Sequence, residues 1–186
     1  MRKLGGLLGM VLLLALAAAA QEAPKSEVFL GYSLLHFNPS SAGFSSFNLN
    51  GGTGSITFNP SRALGAVAEF GGYHLSGING QSVDANVITY MFGPRVSYRH
   101  WDRLTPFGQA LFGGAHSTQS FIGGGTSNSF AMALGGGLDA RLTDHIGVRL
   151  GQLDYFMTRF PQTTPNRETQ NNLRFSTGIV FRFGGR

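Results

Sequence analysis

Between residues 88 and 99 the side chains alternate strictly. The even positions hold Ile88, Tyr90, Phe92, Pro94, Val96 and Tyr98, and the odd positions hold Thr89, Met91, Gly93, Arg95, Ser97 and Arg99. The pattern returns later in the chain. Phe130, Met132, Leu134, Gly136 and Leu138 oppose Ser129, Ala131, Ala133, Gly135, Gly137 and Asp139. Leu173, Phe175, Thr177, Ile179, Phe181 and Phe183 oppose Arg174, Ser176, Gly178, Val180 and Arg182. Successive side chains of a strand point to opposite faces, so this period of two describes strands with one bulky apolar face and one small or charged face. A soluble ligand barrel turns its bulk inward and its charge outward. Here the small face suits the cramped interior of an eight-stranded barrel, and the bulky face suits lipid.

The composition agrees. Of 186 residues 28 are glycine and none is cysteine, which excludes a disulfide scaffold and a cysteine metal site. Charged residues are only 12%, and aromatics at 12% argue against disorder. A mean hydropathy of +0.02 with a single long apolar run excludes a bundle of membrane helices. That run, residues 4–20, follows Arg2 and Lys3 and ends Ala18-Ala19-Ala20 before Gln21, the form of a cleavable secretory signal. It is short for a span and has no basic stop beyond it, which disfavours an uncleaved anchor. No cysteine follows it, so it is not a lipoprotein signal. Its removal leaves 12 basic against 9 acidic residues, a net +3, and Lys25 as the only lysine. No basic cluster exists to bind nucleic acid.

Eight strands are predicted, at residues 27–37, 47–58, 64–74, 87–99, 106–116, 129–141, 146–160 and 172–183. The connections at 59–62, 100–103 and 142–145 are tight. Those at 38–46, 75–86, 117–128 and 161–171 are longer and rich in Ser, Thr, Asn, Gly and Pro. Short periplasmic turns alternating with longer outer loops mark an outer-membrane barrel. The expected fold is therefore all-β: an eight-stranded antiparallel up-and-down transmembrane β-barrel at 27–183. It follows a signal at 1–20 and an extension at 21–26, and precedes a tail at 184–186. Tyr90, Phe92, Val96, Leu134 and Ile179 are expected to face lipid.

Glu69, Arg95, Gln109, Asp139 and Arg149 fall on the small face. Opposite residues of an antiparallel hairpin are centred on its connection. Glu69 and Arg95 are centred on residue 82, Arg95 and Gln109 on Asp102, and Asp139 and Arg149 on Asp144. Glu69, Arg95 and Gln109 are thus expected side by side, with an Asp139–Arg149 pair farther round. Such a network could gate the lumen. The expectation is a plug, because a narrow lumen of small residues offers no hydrophobic filling and an unpaired buried charge is strongly destabilising. In the seventh strand Gln152 and Asp154 have the opposite parity to Arg149. A bulge at or beside Gly151 would return both to the lumen and send Leu153 and Tyr155 outward.

Other candidates are weaker. His74 and Ser76 could form a hydrolase pair at the outer rim, but only Asp84 stands nearby to orient the histidine; no catalytic residue is expected. The glycine runs 51–54, 123–125 and 135–137 lack the lysine and helix of a phosphate loop, and the third is expected to relieve crowding inside the barrel. Trp101, with Phe107, Phe181 and Phe183, fits an interfacial aromatic girdle. The five histidines have no ligand spacing, so neither metal nor cofactor is expected.

The last strand, Ser176-Thr177-Gly178-Ile179-Val180-Phe181-Arg182-Phe183, resembles the β-signal of Gram-negative outer-membrane proteins: a polar residue, then glycine, then two aromatics. Ser176, Gly178, Phe181 and Phe183 carry the match, although Gly184-Gly185-Arg186 follow where many such proteins end. Phe92-Gly93-Pro94-Arg95 and Thr105-Pro106-Phe107-Gly108 resemble hairpin starts of small OmpA/OmpX-type barrels. The resemblance implies insertion by BAM-type assembly machinery into a membrane of outer-membrane lipid and lipopolysaccharide. The expectation from the whole sequence is a monomer without enzyme activity, in a structural or surface-interaction role. The rivals are a narrow pore or transporter, a lipid-modifying membrane enzyme, and a soluble periplasmic barrel.

The parity assignment makes a quantitative statement. Leu134→Arg, near the middle of the membrane, should cost roughly 2–4 kcal/mol in refolding titrations in lipid. A harmless Leu134→Arg would put that face on the wrong side.

Overall fold

A sheet with one bulky outward face and one small inward face satisfies all its backbone groups only by closing on itself. The computed structural model, which describes residues 23–37, 47–78, 81–120, 126–159 and 169–184, has that closure. Its strands are β1 Ser26–Phe37, β2 Phe47–Phe58, β3 Leu64–Ile78, β4 Gln81–Ser97, β5 Leu104–Ser120, β6 Thr126–Arg141, β7 Ile146–Arg159 and β8 Thr169–Phe183. Each pairs antiparallel with its sequence neighbours, and β1 pairs with β8 from Ser26 opposite Phe183 to His36 opposite Leu173.

Several strands run past their expected ends at the long connections. β3 continues to Ile78 and β4 begins at Gln81, so most of the loop expected at 75–86 is paired ladder. Likewise β5 reaches Ser120 and β6 starts at Thr126, inside the loop expected at 117–128. Polar residues end the hydrophobic alternation but not the backbone pairing, which needs no apolar side chain. The signal expected at 1–20 and the connection at 38–46 lie outside the described residues.

In the regular ladders from β1 to β6 the numbers of opposite residues have even sums, so partners keep the same parity. From β1 to β6 the odd residues point inward: Glu27, Ser33, Thr53, Glu69, Thr89, Arg95, Gln109 and Asp139 are all buried. In β8 the even residues do so, including Arg174, Ser176 and Arg182. The change occurs in β7. Leu138 lies opposite Gly151 while Asp139 lies opposite Arg149, so Leu150 is the extra residue. The β7–β8 ladder also shifts between Arg149 and Gln152. Beyond this bulge Gln152 and Asp154 are buried, and Leu153 and Tyr155 are exposed.

Tyr90, Phe92, Val96, Leu134 and Ile179 all project outward, at 44–56% exposure. Trp101 sits exposed in the β4–β5 turn with its ring edge-on to Tyr98. Phe107 departs from the expected girdle: it has odd parity on β5 and is buried in the lumen. The interior also holds more hydrocarbon than expected. Leu35, Leu49, Met91, Leu111 and Phe156 pack with Ala115, Ala131 and Ala133 into one buried cluster. The expectation of an interior without apolar filling is therefore corrected. Inward positions must fill the whole bore at side-chain density, and where alanines line several strands a few large apolar groups from the others occupy the space.

Two glycines of the 135–137 run act where the barrel is tightest. A Cβ on Gly135 would collide with the Leu153 carbonyl oxygen and with Asp154 Oδ1; one on Gly137 would lie 2.8 Å from the Phe107 ring. They make room on β6 for Asp154 and the Phe107 ring.

The bulge has a testable consequence. Deleting Leu150, the extra residue, should leave a regular β7 with Gln152 and Asp154 still in the lumen, whereas inserting one alanine between Gln152 and Leu153 should turn Asp154 toward hydrocarbon, a cost on the order of several kcal/mol. The folded, heat-modifiable band on a cold gel should survive the deletion and be largely lost on the insertion.

Candidate functional site

The side chains that could gate or close the barrel are its inward polar groups. Their placement follows from the register. Asp139 and Arg149 are opposite across β6–β7, and the guanidinium grips the carboxylate with both arms, Nε donating to Oδ1 at 2.8 Å and Nη2 to Oδ2 at 3.1 Å. Arg149 Nη1 donates to Gln152 Oε1 at 2.6 Å, and Gln152 Nε2 donates to Asp154 Oδ2 at 2.7 Å. Arg174 on β8 then donates to Asp154 Oδ2 from Nε at 3.0 Å and from Nη2 at 2.7 Å. Its Nη1 reaches across the lumen to Glu69 Oε1 on β3 at 2.6 Å. One chain of charge-assisted contacts thus runs Asp139–Arg149–Gln152–Asp154–Arg174–Glu69, with every member buried.

The arginines are also covered by rings. Arg149 lies over Phe29 at 4.1 Å and Phe107 at 4.4 Å, and Arg95 lies over Phe107 at 4.3 Å. Desolvated cation–π contacts of this kind each contribute about 2 kcal/mol or more. Nearer the short-turn end, Glu27 forms a second group: Arg99 Nη2 lies 2.9 Å from its Oε2, Arg182 Nε lies 3.4 Å from its Oε1, and Asn59 Nδ2 donates at 3.2 Å.

The expected pairs fare differently. Arg95 lies opposite Gln109 and donates to its Oε1 twice, at 3.1 and 2.7 Å. Glu69 is opposite Met91, and Arg95 is opposite Gly65, so the expected side-by-side placement of Glu69 and Arg95 is corrected. The β3–β4 hairpin is centred on residue 80 rather than 82, and that difference moves Glu69 four residues from Arg95. Glu69 finds its counter-charge on Arg174 instead, five strands along the chain.

Sequence reasoning placed Arg174, Arg182 and Arg99 on the small face without giving them partners. Arg174 and Asp154 are opposite each other, centred on residue 164. The bulge alone puts Asp154 on the inward face, but the long connection between β7 and β8 leaves its partner open. Glu27 with Arg182 needed the β1–β8 closure, which no hairpin encodes.

His74 is exposed and its Nδ1 donates to Asn86 Oδ1 at 2.8 Å, an amide rather than the carboxylate a catalytic histidine would use. The side chains of Ser76 and Asp84 lie outside the described residues. Among the described residues no group of three or more metal-binding side chains occurs.

A family model described as outer membrane protein beta-barrel domain matches residues 6–184. Curated proteins contain no sequence match. Solved structures share the fold. Neisserial surface protein A is 12% identical with a TM-score of 0.67, covering 88% of this chain and 100% of that one. Ail, the attachment invasion locus protein of Yersinia pestis, is 14% identical with a TM-score of 0.60, covering 86% and 99%. The N-terminal β-barrel domain of Pseudomonas aeruginosa OprF is 17% identical with a TM-score of 0.56, covering 88% and 100%.

The chain of contacts predicts which residues are coupled. A double-mutant cycle of Glu69→Gln and Arg174→Met should show an interaction energy of roughly 1–3 kcal/mol in urea unfolding from lipid. The same cycle with Arg95→Met in place of Arg174→Met should show much less. Equal coupling in both cycles would contradict the register.

Proposed function

Since the chain belongs to the outer membrane protein β-barrel family and is a bacterial outer-membrane protein, we propose that it is a closed, non-enzymatic barrel with a structural or surface-interaction role. The observation that carries this reading is the filling of the bore. The six-residue chain from Asp139 to Glu69 crosses the lumen from β6 to β3, and the Leu35, Leu49, Met91, Leu111 and Phe156 cluster occupies further space. A plug of paired ions with an apolar layer opposes water and ions alike. The engagement of His74 by Asn86 supports a role without catalysis.

In this reading the barrel acts as a monomer, since closure leaves no strand edge to pair with a neighbour. Tyr90, Phe92, Val96, Leu134 and Ile179 meet outer-membrane lipid and lipopolysaccharide. Ser176, Gly178, Phe181 and Phe183 on β8 present the signal read by the BAM-type assembly machinery. The hairpin ends opposite the short turns face the exterior. Surface proteins occur among barrels of this fold, as the name of the Neisserial structure states.

A narrow pore is the second reading, and one observation favours it. Ser55 Oγ, Thr89 Oγ1 and Gln109 Nε2 are buried without a hydrogen-bond partner in the protein. Polar groups left this way are positions for internal water. Planar-bilayer recording separates the two readings. The intact barrel should give currents near baseline, and Glu69→Ala with Arg174→Ala should raise them. A large, stable current from the unaltered protein would establish the pore instead.

A further inference from the structure

Three of the four hairpins that turn at the end opposite the short turns carry the same outward rung. His36 lies opposite Asn48, His74 opposite Asn86, and His116 opposite Asn128. In each the imidazole Nδ1 donates to the amide Oδ1, at 2.7, 2.8 and 2.7 Å, and the partners are 12 residues apart. In the fourth hairpin the Tyr155 hydroxyl donates to Asn171 Oδ1. Asn50, which accepts from the Tyr32 hydroxyl, lies opposite His74, so the register sets the first two rungs beside each other as a belt.

The belt has a definite height. The histidines come about ten to twelve residues after the starts of β1, β3 and β5 at the short-turn end. At ~3.3 Å per residue and a tilt of ~40° this is roughly 25–30 Å, the height of the apolar band of such a barrel. The neighbours agree, since His36 adjoins Leu173 of β8 and His116 adjoins Ile88 of β4, both exposed and apolar. The rungs therefore stand where hydrocarbon gives way to the headgroups of the outer leaflet.

A bonded Nδ1–H fixes the ring and leaves Nε2 as the free atom. On a neutral imidazole that atom is an acceptor and has nothing to offer a phosphate oxygen. On the protonated ring it is a donor carrying positive charge. We propose that the three His–Asn rungs form a contact for lipid headgroup phosphates that engages when the imidazoles are protonated. The proposal rests on the outward face meeting lipid. The titratable side chains sharing this face are Tyr32, Tyr90 and Tyr155, and the charged residues at nearby register positions are Asp84 on β4 and Arg159 on β7. On the adjoining strands His36 meets Leu173, His74 meets Asn50 and His116 meets Ile88.

The test uses the full barrel refolded into phosphatidylcholine vesicles with or without phosphatidic acid, at pH 5.5 and pH 8. The readout is the urea midpoint for loss of the heat-modifiable band. Phosphatidic acid should raise that midpoint at pH 5.5 and much less at pH 8. H36Q/H74Q/H116Q should fold yet lose this pH-linked gain, and the corresponding triple lysine variant should keep the gain at both pH values. If the triple glutamine variant does not fold, each single His→Gln variant should lose about a third of the gain. A pH-linked gain that survives in the glutamine variants overturns the proposal, as does its absence from the unaltered protein. Inorganic phosphate added to phosphatidylcholine vesicles should have no effect; if it reproduces the gain, the assignment to a lipid headgroup is wrong. Failure of the unaltered protein to fold into either vesicle would instead overturn the membrane reading itself.

Discussion

An eight-stranded barrel has an interior only wide enough for side chains, and that bore must be filled without leaving a buried charge alone. Nearly every inward residue of this protein can be understood from that constraint. Arg149 and Arg174 have carboxylates, and Arg95 has Gln109 and the face of Phe107. The glycines of β6 stand where Asp154 and Phe107 need volume. The hydrocarbon cluster occupies space where the inward positions of β5 and β6 are alanine.

The ion pairs bear on specificity as well as on stability. Burying Asp154, Arg174 and Glu69 carries a desolvation cost that their mutual contacts offset only when register and closure are both correct. A slip of one residue in β7 would send Asp154 into lipid and strip Arg174 of its main partner. The network thus penalises wrong registers, and the bulge at Leu150 is what makes the right one possible. Its last link, from Arg174 on β8 to Glu69 on β3, can form only when the barrel closes.

Outside, the same alternation yields a band of aromatic and aliphatic groups. It is bounded by Trp101 and Tyr98 at the short-turn end and by the histidine and asparagine rungs at the other. The two boundaries differ in chemistry. The first is aromatic and suited to an interface through amphipathic rings. The second offers imidazole and amide groups, which can exchange hydrogen bonds with polar headgroups.

Much of this was legible in the sequence because β-strands have a period of two. Parity alone put Phe92 and Leu134 outside and Arg95 and Asp139 inside, and the tight turns at Asp102 and Asp144 set the Arg95–Gln109 and Asp139–Arg149 registers. The clash of parity within β7 revealed the bulge. What parity could not reach was any register that depended on a long connection, because a centre two residues away is equally compatible with the alternation. Glu69 was therefore assigned to Arg95. Its partnership with Arg174, and that of Glu27 with Arg182, join residues far apart in the chain. Local sequence determines which face a side chain takes; only closure of the sheet decides which side chains meet across the bore, since that depends on the register of every strand between them.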